Sequence, residues 1–227
     1  ASFRGGPAPR RPGLRPSTRC RMKLLRSPAG RCLALVPLLL PAAANPHSAK
    51  RPVPPQVLPA VAAVIPGAPA VALSEPDLAM RLADAAPAAS REVLRLAARA
   101  MSCALRDPAF GVDPRRLGVI DYSRPSTEPR LWVFDLVARK LLFEEWVAHG
   151  RNSGGNLTTG FSNRDGSYMT SLGGFTAQET YMGGNGYSLR LRGLEPGFND
   201  RARERAIVIH GAPYVNPVAA KLQGRLG

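Results

Sequence analysis

Two periodicities divide the chain. Between Ser74 and Arg106 apolar residues recur every three to four positions, and from Leu117 onward they alternate. Ser74-Glu75-Pro76-Asp77 is a helix start, because the Ser hydroxyl can cap the first free N–H groups while Pro and acids suit the first turn. The pattern predicts a helix to about Ala85, broken at Pro87. A second helix starts near Ser90. Val93, Leu94, Ala97, Ala100, Met101, Ala104 and Leu105 form its apolar stripe, with Arg95, Arg99, Ser102 and Arg106 on a solvated face. Asp107-Pro108 ends it. The period-two region predicts strands over 117–122, 131–136 and 141–149, the last two as a hairpin, then over 174–182, 187–192 and 206–210. Asn199-Asp200 caps one helical turn through Glu204, and 150–163 is a Gly- and Asn-rich loop. Two N-terminal helices leading into a mainly β domain, a sandwich or open barrel, is the expected fold class.

Charge separates the front from the rest. Of 31 Lys and Arg, 11 fall in residues 1–51, where there is no Asp or Glu, leaving 20 basic against 16 acidic residues beyond. The isoelectric point near 11.1 thus describes a basic front end. Aromatics divide the other way, with 13 of 14 at or after Phe110. Met22 begins a secretory-signal pattern: Lys23, Arg26 and Arg31, then the short apolar run Cys32-Leu-Ala-Leu-Val-Pro-Leu-Leu-Leu40, then the small residues Pro41-Ala42-Ala43-Ala44. The run is too short for a stable membrane anchor. Residues 1–44 are therefore expected to be an upstream tail plus signal peptide starting at Met22. Residues 45–73 are a Pro/Ala-rich linker, 74–109 a helical segment and 110–227 the β domain. Export to the periplasm or cell envelope follows, and it argues against the arginines of the tail serving as a nucleic-acid arm.

Candidate chemistry is sparse. Cys20 and Cys32 belong to the front end, so Cys103 is expected to be a lone, packed, inert thiol. No cysteine pair or His cluster has metal-ligand spacing, and neither metal nor cofactor is expected. Gly154-Gly155 and Gly183-Gly184-Asn185-Gly186 match no phosphate loop and read as turns. His210 ends the apolar strand Ile207-Val-Ile209 and precedes Gly211. Rigid backbone beside an open position suits a general base, and a core His with a backbone partner fits the same pattern. His149-Gly150 repeats the arrangement at the end of the hairpin strand.

Beyond these spacings, the colinear run from Leu131 to Val215 resembles the murein L,D-transpeptidase catalytic-domain family. It is carried by Leu131-Trp-Val-Phe-Asp135, Val147-Ala-His-Gly-Arg-Asn-Ser-Gly154, Phe161-Ser-Asn163, Ser167-Tyr-Met-Thr-Ser-Leu-Gly173, Tyr187-Ser-Leu-Arg-Leu-Arg-Gly-Leu-Glu-Pro-Gly-Phe-Asn199 and Ala206-Ile-Val-Ile-His-Gly211, with Tyr122-Ser-Arg-Pro-Ser126 ahead of them. The resemblance implies a cysteine acyltransferase of peptidoglycan. A thiolate attacks the carbonyl on the L-centre of meso-diaminopimelate, D-alanine leaves, and an amine or water takes the acyl group from the thioester. It implies His210 as base, with Gly211 beside it. By their placement, Gly211, His149, Arg151, Asn152 and Tyr181 are the expected contacts to the anionic stem peptide. The family's nucleophile lies in a Ser-x-Gly-Cys element shortly after the Ile-His-Gly strand, whereas no Cys follows Cys103 here. The expectation is a chain clipped before its nucleophile and last strand, without turnover as it stands. A non-catalytic cell-wall-binding module of the same fold is the second reading. Peptidoglycan stem peptides are the expected partner under both, and oligomeric state is left open.

Overall fold

A computed structural model describes residues 74–227 and the backbone of Leu33–Val36. In chain order the elements are β1 (Leu33–Val36), α1 (Glu75–Ala85), α2 (Arg91–Ala104), β2 (Arg116–Asp121), β3 (Leu131–Asp135), β4 (Lys140–Glu145), β5 (Gly173–Gly183), β6 (Gly186–Gly193), β7 (Val208–His210) and α3 (Pro217–Gln223). Short 3-10 turns follow α2 and precede β7. Both helices start where their caps predict. The Ser74 hydroxyl accepts the Asp77 N–H at 3.3 Å, and the predicted stripe of α2 is buried from Val93 to Ala104. Leu105 caps the helix and stays 44 % exposed.

Alternation decides what each strand touches. Leu117 and Val119 of β2 and Trp132 and Phe134 of β3 pack with α1 and α2 in one core. The opposite-facing Ile120, Tyr122 and Val133 pack with Phe175, Ala177, Leu189 and Leu191 in a second core. The antiparallel ladders β2–β3–β4 and β5–β6–β7 thus enclose the second core, and the helices cover the far side of the first ladder. Among the described residues the result is a mainly β fold with no closed barrel. Strand β1 lies between β2 and β5, antiparallel to the first and parallel to the second, giving the order β4-β3-β2-β1-β5-β6-β7. It falls within the apolar run read as a leader. The rest of that leader and the 45–73 linker lie outside the described residues.

Three expectations change. The 141–149 strand stops at Glu145, so His149 lies beyond it. Helix α3 went unread although its caps are strong: Asn216 accepts the Ala219 N–H at 2.8 Å, Pro217 opens it, and Gly224 closes it at φ 66°. Only Ala220 on it is buried, so it carries no apolar stripe to reveal it. Cys103 is not a lone thiol. It is disulfide-bonded on the buried face of α2, with a partner outside the described residues. Setting the front-end cysteines apart from the domain produced that error.

The turn between β6 and β7 delivers His210. Its hub is the fully buried Asn199, which accepts the Glu195 N–H at 2.9 Å and donates to the Leu172 and Gly174 carbonyls at 3.1 and 3.0 Å. Gly193 lets this turn close, since a Cβ there would stand 1.9 Å from the Asn199 carbonyl oxygen. Backbone pressed on backbone has nowhere to relax. Gly193→Ala is therefore expected to lower the unfolding free energy by about 3 kcal/mol. In the same urea melts Gly184→Ala, whose Cβ would meet nothing within 4 Å, is expected to stay within ~0.5 kcal/mol of the parent. Equal effects would remove the role given to Gly193.

Candidate active site

His210 sits at the end of β7, half-buried, opposite Ser188 of β6, which is itself opposite Tyr181 of β5. Opposed residues of antiparallel strands share a face. Since Leu189, Ile207 and Ile209 belong to the second core, the row Tyr181–Ser188–His210 faces away from it. The His210 Nδ1 lies 2.8 Å from the Gly211 carbonyl oxygen. A carbonyl only accepts, so Nδ1 carries the proton and Nε2 keeps its lone pair. A Cβ at Gly211 would meet nothing within 4 Å, so the residue after His210 stands in open space. This fixed tautomer is the arrangement a general base requires.

His149 has a different setting. It is 5 % exposed, and its Nδ1 lies 3.0 Å from Nη2 of Arg130, a residue with no solvent exposure at all. Guanidinium nitrogens only donate, so Nδ1 is the acceptor and Nε2–H points to the Gly154 carbonyl at 3.3 Å. Burial, then the Arg130 charge, push the His149 pKa below its ordinary value. The rest of Arg130 is spent on two backbone carbonyls and one hydroxyl. Nε and Nη2 donate to the Val147 carbonyl at 2.9 and 2.6 Å, and Nη1 to the Arg124 carbonyl at 3.1 Å and to Thr158 Oγ1 at 3.3 Å. Its guanidinium lies 5.0 Å above the Tyr122 ring. Burial lowers the Arg130 pKa to about 10. His149 is thus an interior strut rather than a wall of the cleft.

The same strut holds the far end of the described chain. The His149 N–H donates to the Leu226 carbonyl at 3.3 Å, while the Leu226 N–H donates to Ser126 Oγ at 2.8 Å. Leu226 is fully buried and Ser126 is bonded onward to Asn156.

The glycine-rich loop is organised by buried serines and one arginine. Ser153 Oγ accepts the Thr170 N–H at 2.8 Å, and the Gly150 N–H donates to Thr170 Oγ1 at 2.8 Å. A Cβ on Gly150 would stand 2.4 Å from the Tyr168 carbonyl, so only glycine lets these segments meet. Arg205 stitches the other side, donating to the Ser162 carbonyl, Ser171 Oγ, Ser167 Oγ and the Met169 carbonyl. Asn152 donates to the Ser167 carbonyl at 2.9 Å and lines a cleft of about 390 Å³ with Ser162, Arg164, Asp165, Ser167 and Met169. Arg151 is exposed, its guanidinium 3.7 Å above the Tyr168 ring.

The structure therefore sets Tyr181 in one row with His210, places Gly211 just past the end of β7 and Arg151 and Asn152 on the separately bonded loop, and puts His149 inside. Arg130, Ser126, Ser153 and Arg205 were missed by sequence reasoning. Arginine and serine within polar segments carry no periodic signal of burial.

A sequence model of the L,D-transpeptidase catalytic domain matches residues 85–227. No curated protein and no solved structure gives a significant match.

One prediction concerns His149. Its folded pKa is depressed, so on acidification the unfolded chain takes up this proton first. The stabilisation is complete above the unfolded value of about 6.5 and is lost as pH falls through the folded value. Urea midpoints between pH 7.5 and 5 should fall more steeply for the parent than for His149→Asn. Parallel slopes would contradict the neutral strut.

Proposed function

The chain belongs to the L,D-transpeptidase catalytic-domain family, and from that premise we propose that it works in the cell envelope as an exported peptidoglycan acyltransferase with His210 as its base. The observation that carries the reading is the His210 tautomer, with Nδ1–H on the Gly211 carbonyl and Nε2 without a hydrogen-bond partner among the described residues. In the proposed reaction Nε2 takes the thiol proton, and the thiolate attacks the carbonyl on the L-centre of meso-diaminopimelate. The tetrahedral oxyanion collapses, the C–N bond to D-alanine breaks, and the imidazolium returns the proton to the departing amine. An amine of a second stem peptide, or water, then attacks the thioester and passes its proton to Nε2, and the thiol is restored.

The thiolate does not come from Cys103, which is buried on the helical layer. No Cys follows it in residues 1–227. We place the nucleophile in a Ser-x-Gly-Cys element outside these residues, which gives the 227-residue chain the base half of the site and no turnover. Anchoring of Leu226 between Ser126 and His149 supports this, because it holds the chain that the resemblance leads into that element. The second reading, a non-catalytic wall-binding module, rests on the same missing thiol.

Two measurements test the proposal. Intact-mass analysis after incubation with a carbapenem should show no adduct on the 227-residue chain, and an adduct on a chain read onward into Ser-x-Gly-Cys that His210→Ala abolishes. An adduct at Cys103, or full acylation of the His210→Ala variant, would overturn the assignments. N-terminal sequencing of protein recovered from the envelope should begin just after Pro41-Ala42-Ala43-Ala44. Recovery of protein that still carries Leu33–Val36, the β1 segment, would contradict leader removal.

A further inference from the structure

From the geometry beside His210 we propose that Arg190 is the carboxylate-binding residue of this site, gripping a free carboxylate of the stem peptide while the acyl carbon lies at His210. This rests on the function proposed above and names how its substrate is held.

Arg190 lies opposite Val208, and Ser188 lies opposite His210. Positions 188 and 190 point to the same face, as do 208 and 210, so Arg190 is the diagonal neighbour of His210. Diagonal positions in an antiparallel pair stand roughly 7–8 Å apart, within reach of a long side chain. The Arg190 side chain is 34 % exposed, so water and solutes reach it.

Its orientation is set from two sides. Nε forms an ion pair with Glu179 Oε1 at 3.3 Å, and the guanidinium stacks 4.2 Å above the Tyr181 ring. Neither Nη has a hydrogen-bond partner among the described residues. Two parallel donors from a stacked, planar group are the fork that matches a carboxylate. Glu179 does not use up that charge. Both of its oxygens are taken by Arg203, at 2.6 and 3.0 Å, and Arg203 holds the Glu179 carboxyl down to about 2. Glu204 also acts on Arg203, so Arg203 is the guanidinium these carboxylates hold most closely and Arg190 touches Glu179 through Nε alone.

The other arginines near this sheet are committed. Arg192 donates to the Ala109 and Phe110 carbonyls at 3.0 and 2.6 Å. Arg203 is closed on Glu179, and Arg205 is bonded four ways into the loop. Arg190 alone among them offers both terminal nitrogens.

The test is calorimetric titration of the 227-residue chain with the tetrapeptide stem, followed by versions of that peptide with each carboxylate converted to the amide in turn. The parent should bind the stem, and Arg190→Gln should bind it about ten- to a hundredfold more weakly. Arg190→Lys, which keeps the charge and loses the fork, should fall between them, with both variants keeping the parent's circular dichroism and melting. One amidated peptide should lose the same factor on the parent and lose nothing further on Arg190→Gln, identifying which carboxylate is held. Parent-like binding of the intact stem by Arg190→Gln would overturn this inference alone. So would equal further losses for every amidated peptide on that variant. Absence of stem binding by the parent would overturn it together with the proposed function.

Discussion

A guanidinium shut away from water must find acceptors for its donors, and Arg130 finds them in three different segments. The Val147, Arg124 and Thr158 oxygens and the His149 ring are drawn to one point that no strand pairing would bring together. Removing such a buried cation's partners, or the cation itself, leaves unpaired polar groups behind, at a cost of roughly 3–5 kcal/mol. The glycine-rich loop and the seat of Leu226 hang on this point. The first does so through His149 and Gly154, and the second through the His149 N–H and Ser126. A polar knot therefore does the positioning that apolar packing does elsewhere in the domain.

The proposed chemistry lies apart from the knot. Alternation along β6 and β7 sends Leu189, Ile207 and Ile209 into the second core and turns Ser188, Arg190 and His210 the other way. A rigid, half-buried ladder thus carries the proposed base, its tautomer fixed by its own neighbour's carbonyl, beside a preoriented cation. The two histidines that look alike in sequence, each followed by glycine, have opposite tautomers and opposite duties. His149 keeps its lone pair on Nδ1 to receive Arg130, and His210 keeps its lone pair on Nε2.

How much of this was readable from residues follows from the same physics. Helices with Ser caps and a striped face, and strands whose apolar residues alternate, declare themselves locally, and their limits agreed within a few residues. Helix α3 has a strong Asn-Pro start but almost no apolar face, so periodicity passed over it. The burial of Arg130 and the turn around Asn199 depend on segments that meet only in three dimensions. The Cys103 disulfide likewise leaves no mark in the local pattern of residues. His210 and Gly211 were nominated as a pair by motif order, whereas the tautomer of His210 needed a hydrogen bond to be seen. Arg190 looked like any solvated residue of an alternating strand until the register placed it diagonal to His210.

The most direct examination of the central claim is a nitrogen-15 NMR measurement of the His210 ring in the 227-residue chain at neutral to mildly alkaline pH, without and with the stem tetrapeptide. The account predicts a protonated Nδ1 and an unprotonated Nε2 in the free chain, with the Nε2 signal moving as the peptide is added. A ring protonated on Nε2, or an Nε2 signal indifferent to saturating peptide, would contradict His210 as the base.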